Sequence, residues 1–126
     1  MKKTLMINGI ECNFKSSAAI PRMYRLKFGR DIFVDMQKLK KQVEMSEKLK
    51  EETGEEYSSL PINSLEMFEN IAFLMHKHGD SSQPSEIDEW LEQFDTFSIY
   101  EILPEILEMW GIENKQMSTA KKETEK

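Results

Sequence analysis

Few residues in this chain are equipped for chemistry: one cysteine, two histidines and a scatter of carboxylates. Zinc needs sulfur and imidazole donors converging at set spacings, and Cys12 with His76 and His78 does not make such a set. Two residues apart on a helix, the histidines point to different sides. They are expected to cap a helix end, where a cationic ring meets the negative end of the dipole. Asp80 to Leu91 has the length of a calcium loop, but its sixth position is Ser85 rather than glycine and its twelfth is Leu91 rather than glutamate. The acidic pairs Glu51-Glu52 and Glu55-Glu56 lie in a segment without periodicity, unsuited to holding a catalytic geometry. Phosphate-binding glycine loops, serine elbows and Cys/His couples are absent from the sequence. The expectation is a protein that is not an enzyme, with no catalytic residue, cofactor or metal.

A second grouping is Arg22, Arg25, Lys27 and Arg30 around Tyr24 and Phe28. Basic side chains interleaved with aromatics suit nucleic acid. The competing reading makes the aromatics core and the cations their rim, which a pI near 5.0 favours. The net charge of −6 is unevenly spread. Residues 1–50 carry twelve Lys/Arg against five Asp/Glu, a net of +7, whereas residues 51–126 carry five against eighteen, a net of −13. Either the two halves attract one another within one fold, or subunits meet head to tail.

These residues need a scaffold, and 126 residues suffice for one core. An apolar fraction of 39% with 32% charged residues favours a small helical protein with much solvated surface. A lone cysteine rules out an internal disulfide and suggests a reducing cytoplasm. Leu5-Met6-Ile7 is far too short for a signal-peptide core, and no run approaches the ~20 apolar residues of a membrane span. A soluble, untargeted chain with no membrane partner is expected.

Thr4 to Lys15, broken by Asn8-Gly9, predicts a β-hairpin, since Asn-Gly suits both positive-φ positions of a type I′ turn. Two strands alone are marginal, so the hairpin must lie on helices or pair with another chain's edge. Ser16-Ser17 offers a cap for a helix over 18–28 bearing Ile20, Met23, Tyr24 and Phe28, ended by Gly29. From Asp31, Ile32, Met36, Leu39 and Val43 mark a second helix with a charged, fraying extension to about Lys50. Lys50 to Ser59 is expected to be an exposed, mobile loop. Ser64 to His78 is the central core helix, with Gly79 at its end. Ser85, three residues before Asp88, predicts a capping box opening a helix with Ile87, Trp90, Leu91 and Phe94. A last helix is expected from about Phe97 to Trp110, kinked at Pro104 and ended by Gly111. The resulting fold class is mainly α: a small domain of about five helices with an N-terminal hairpin over 1–111, and a charged, disordered tail over 112–126.

Tyr24-Arg25-Leu26-Lys27-Phe28-Gly29-Arg30-Asp31, a Tyr-Arg-x-x-Phe-Gly-Arg-Asp block after a short hairpin, resembles the tail assembly chaperone family of siphophages infecting Gram-positive hosts. The order of Ile71-Ala72-Phe73-Leu74-Met75, then Ile87-Asp88-Glu89-Trp90-Leu91, then a final helix ending near Leu107 to Trp110 is similar to that family's layout. The similarity spans about residues 3 to 111 and departs from the family at Lys50 to Ser59. Its motifs are packing motifs: Tyr24 and Phe28 fill a joint, Gly29 turns it, Arg30 or Asp31 bridges or caps it, Arg25 belongs to the same block, and Trp90, Leu91 and Trp110 anchor later helices.

The resemblance implies a protein that binds the long tape measure protein and recruits major tail tube protein subunits during tail assembly. It implies a place in the host cytoplasm during infection and absence from the mature virion. It also implies a homo-oligomer and a longer form made by a one-base backward ribosomal frameshift, for which Ala120-Lys121-Lys122 offers a slip point. Nine methionines, among them Met67, Met75 and Met109, offer adaptable contacts if they are not core. The alternatives are a small nucleic-acid-binding regulator using residues 22–41, although the acidic balance speaks against nucleic acid, and an adaptor that sequesters one enzyme.

Overall fold

The computed structural model describes residues 1–53, 62–95 and 98–111. Strands β1 (Lys2–Ile7) and β2 (Ile10–Lys15) form an antiparallel hairpin in which Leu5 faces Cys12 and Ile7 faces Ile10. Its turn places Asn8 at φ 57° and Gly9 at φ 74°, the two left-handed residues that Asn-Gly supplies at least cost. The strands alternate as a half-buried hairpin must: Leu5, Ile7, Cys12 and Phe14 point inward, and Thr4, Met6, Glu11 and Asn13 do not. Of the two fates expected for the hairpin, it lies on a helix.

That helix is α3 (Ile62–Gly79), whose buried face includes Phe68, Ile71, Ala72, Met75 and His76. Helix α1 (Ala19–Phe28) buries Ile20 and Tyr24 and ends at Gly29, which sits at φ 66° with its N–H donated to the Arg25 carbonyl. Helix α2 (Ile32–Thr53) starts at the cap Asp31, whose carboxylate accepts the Phe33 N–H at 2.9 Å. Ile32, Met36 and Leu39 are buried along it, and Val43 is half-buried. Helix α4 (Ile87–Leu91), a 3-10 helix (Ser98–Ile102) and helix α5 (residues 103–111) complete the chain as described. One apolar cluster runs from Leu5 to Trp110 and draws on every one of these elements, Leu91 of α4 being partly buried against it. The molecule is mainly helical with an N-terminal hairpin, as expected.

Several expectations are corrected. Helix α2 continues through Thr53, so residues 50–53 of the expected loop are helical; the rest of that expectation, and the tail 112–126, lie outside the described residues. Charged side chains without an apolar stripe are good helix formers, and an exposed extension needs no packing partner. The cap of α1 is Ala18, one residue later than expected, although Ser17 Oγ accepts the Ala19 N–H at 3.2 Å. The capping box at Ser85 does not form: the cap is Glu86, without a side-chain bond. Phe94 lies beyond α4, because the chain tightens into i→i−3 bonds from Gln93 and Phe94, yet its ring still meets Trp90 at 5.3 Å. Pro104 kinks nothing; it is the second residue of α5, where a missing N–H is harmless. Gly79 is required for space: a Cβ there would sit 2.3 Å from the Asn13 carbonyl oxygen of β2.

Candidate functional site

The Tyr24–Asp31 block folds into the joint between α1 and α2, and a residue outside the block completes it. Asp35, one turn into α2, is buried and accepts the Tyr24 hydroxyl at 2.6 Å and the Arg30 guanidinium at 2.7 and 2.8 Å. The fork of Arg30 engages both carboxylate oxygens, the geometry in which Arg differs most from Lys. Burial alone would push the Asp35 carboxyl up, but the bonds from Arg30 and Tyr24 outweigh it and hold it below the usual range. Burial, then the bond to and charge of Asp35, push the Tyr24 hydroxyl up with Arg30 opposing, and the Asp35 bond raises Arg30. Phe28 leans on Tyr24 at 5.1 Å between ring centres, and Arg25 is exposed. Trp110 reaches this joint through Phe33, its ring 5.2 Å away.

A second polar contact lies deeper. Trp90 is fully buried against Phe73, and its indole N–H donates to Nδ1 of His76 at 2.8 Å. Leu91 is half-buried beside it. His76 also stacks on Phe14 of β2, with ring centres 5.0 Å apart. The expectation that His76 and His78 act as cationic caps is therefore corrected. Burial lowers the pKa of both, and Nδ1 of His76, which accepts the Trp90 hydrogen bond, carries no proton. They do point to different sides: His78 Nε2 lies 2.9 Å from Ser17 Oγ. The Asp80 carboxylate is held by Ser82 and Gln83 in a tight turn and pulled down to about 2 by those bonds. Among the described residues no three His, Cys, Asp or Glu converge as a metal site. Cys12 is buried, and burial pushes its thiol up.

What remains at the surface is unevenly charged, with Asp31, Glu44 and Glu47 as exposed carboxylates on the more cationic side. Arg22, Arg25, Lys27, Arg30, Lys38 and Lys41 are exposed on α1, the joint and the first half of α2. Glu86, Asp88, Glu89, Glu92, Glu101 and Glu108 are exposed around α4, the 3-10 helix and α5. Between α2 and α3 runs a groove of about 750 Å³ lined by Lys38, Lys41, Met45, Glu66, Met67 and Asn70, among others. Met45 is 51% exposed at its rim, whereas Met67, Met75 and Met109 are buried. A shallower apolar recess of about 420 Å³ lies between α1 and α3, beside the 67%-exposed Leu26. Sequence reasoning missed Asp35 and His76 as joint and core residues. Both were visible as polar positions inside apolar rows, Asp35 between Ile32, Met36 and Leu39, and His76 four residues after Ala72.

Among the described residues no helix is long and apolar enough to cross a membrane. No protein-family model, curated protein or solved structure matches the chain.

Proposed function

We propose that this chain works by binding other proteins, as a tail assembly chaperone of a long-tailed phage that holds the tape measure protein and brings tail tube subunits to it. The observation that carries this reading is the Tyr24-Arg25-x-x-Phe28-Gly29-Arg30-Asp31 block, standing in order between a hairpin and the Ile71–Met75 and Ile87–Leu91 segments. The fold gives that block a physical purpose. Tyr24, Phe28, Gly29, Arg30 and Asp31 set the angle between α1 and α2, which leaves the cationic surface and the α2–α3 groove facing outward. In this reading the chain is a homo-oligomer of the infected cell's cytoplasm, has a longer frameshifted form and leaves before the virion is complete.

Tyr24 is buried and bonded to Asp35, so it offers no ring for stacking on a base. This weakens the alternative of a nucleic-acid-binding regulator on residues 22–41. Co-expression with the tape measure protein of the same genome tests the proposal: a soluble complex that co-purifies supports it. Tape measure that precipitates equally with and without the chain, or salt-dependent duplex binding by the chain alone, would turn the assignment elsewhere.

A further inference from the structure

We propose that the groove between α2 and α3 receives a second copy of this chain, which seats there the acidic outer edge of its residues 98–111, so that copies join head to tail. The inference rests on the homo-oligomer of the reading above and names the two surfaces that join its copies, independently of any tape measure binding.

Charge and shape carry it. The groove presents the exposed cations of Arg30, Lys38 and Lys41 against the single carboxylate of Glu66, and its exposed apolar surface comes from Met45. The proposed guest presents Glu101, Glu105 and Glu108 at spacings of four and three, on one side of the segment. Within one chain these charges are only partly engaged, the Lys38 charge helping to lower the Asp35 carboxyl. Among the described residues Lys38, Lys41, Glu101 and Glu105 form no ion pair, and Glu108 meets Lys3 only at 3.8 Å. Lys3 and Glu108 thus join the first half of the sequence to the second, whereas Lys38, Lys41, Glu101 and Glu105 do not.

Geometry makes the contact heterologous. Glu66, Met67 and Asn70 of α3 face the groove, whereas Phe68 and Glu69 meet Tyr100 of the 98–102 segment, the latter accepting the Tyr100 hydroxyl at 2.8 Å. Groove and acidic edge therefore occupy different faces of the same molecule. Each copy keeps one of each free after pairing, and such contacts grow into rings or open filaments. A surface of exposed lysines and glutamates with Met45 as its apolar contact gives a weak, salt-sensitive, exchangeable association.

Sedimentation of the full chain tests this with two charge reversals at exposed positions, Lys38→Glu with Lys41→Glu, and Glu101→Lys with Glu108→Lys. Circular dichroism first checks that each variant keeps its helix content. The wild type is expected to assemble with rising concentration at low salt and to dissociate in about 0.5 M salt. Each reversed variant alone should sediment as a monomer, because groove and edge then carry the same sign. An equal mixture should assemble again, since each variant's edge fits the other's groove. Should a reversal perturb folding, the neutral pairs Lys38→Gln/Lys41→Gln and Glu101→Gln/Glu108→Gln replace it, and each is expected to weaken assembly several-fold. A wild type that stays monomeric, assembly indifferent to salt or to these substitutions, or a mixture that remains monomeric would overturn the proposal.

Discussion

The indole N–H of Trp90 donates to Nδ1 of His76 at 2.8 Å, and both side chains are buried. This bond joins the short helix α4 to the helix on which the hairpin lies, and it exists only while Nδ1 of His76 carries no proton. Burial lowers the His76 pKa from its ordinary 6.5, with Asp80 opposing, so the unfolded chain takes up this proton first as pH falls. Stability is then complete above about 6.5 and declines as pH drops through that value toward the lowered folded one. His78, lowered by burial, Lys15 and the N-terminus, adds to the same slope. Urea midpoints at about pH 7.5 and about pH 5 measure it; equal midpoints would contradict a buried neutral His76.

Trp90→Phe and Trp90→Ala separate the hydrogen bond from the packing. The first keeps most of the volume but leaves His76 Nδ1 without its donor, at a cost of about 1–3 kcal/mol. The second also opens a cavity beside Phe73 and Phe94 and should cost about 3–5 kcal/mol. Trp110→Ala belongs to the same class through its contact with Phe33. Chemical denaturation checks all three. Near-wild-type stability for either alanine variant would mean that the indole is not a core anchor.

At the α1–α2 joint, Asp35→Asn should cost about 1–3 kcal/mol, since the Tyr24 hydroxyl and the Arg30 fork lose their charged acceptor. Arg30→Lys is expected to recover only part of the wild-type stability, because an ammonium cannot reach both oxygens as the guanidinium does. The depressed Asp35 pKa makes its contribution present above the ordinary 3.8 and lost as pH falls below it. Wild type should be the more stable of the two at every pH above about 3.8, and the gap to Asp35→Asn should close as pH falls below that value, as denaturation followed by circular dichroism at several pH values would show.

Two glycines should respond to alanine for different reasons. Gly29→Ala meets no atom within 4 Å and suffers only the left-handed strain at φ 66°, about 1 kcal/mol. Gly79→Ala must push the end of α3 off the Asn13 carbonyl, with an overpacking cost of about 1–3 kcal/mol. Thermal melts rank them, and a Gly79→Ala protein as stable as wild type would contradict the close approach of α3 to β2.

Local signals made much of this fold legible. Asn8-Gly9 announced the hairpin, Gly29 the end of α1, and Phe68, Ile71, Ala72 and Met75 the core face of α3. What escaped was tertiary. The Asn8 side chain also binds Asp95 and Ser98, taking the Asp95 N–H at 2.8 Å, a tie that no turn rule contains. Asp35 and His76 stand as polar positions in apolar rows, but their partners, Tyr24 and Trp90, lie on other helices and no local rule pairs them. Gly79 suggested a helix cap, whereas its neighbour across space explains it. The joint of the candidate site could be placed from sequence; the groove beside it could not, since it exists only once α2 and α3 are packed together.

The proposed role is tested most directly by the tape measure protein itself, diluted from denaturant while light scattering is recorded with and without this chain. Suppressed scattering at near-stoichiometric amounts of the chain, and a soluble complex afterwards, is the predicted result. Scattering that rises equally in both samples, or is suppressed equally by an unrelated protein of similar size and charge, would contradict it.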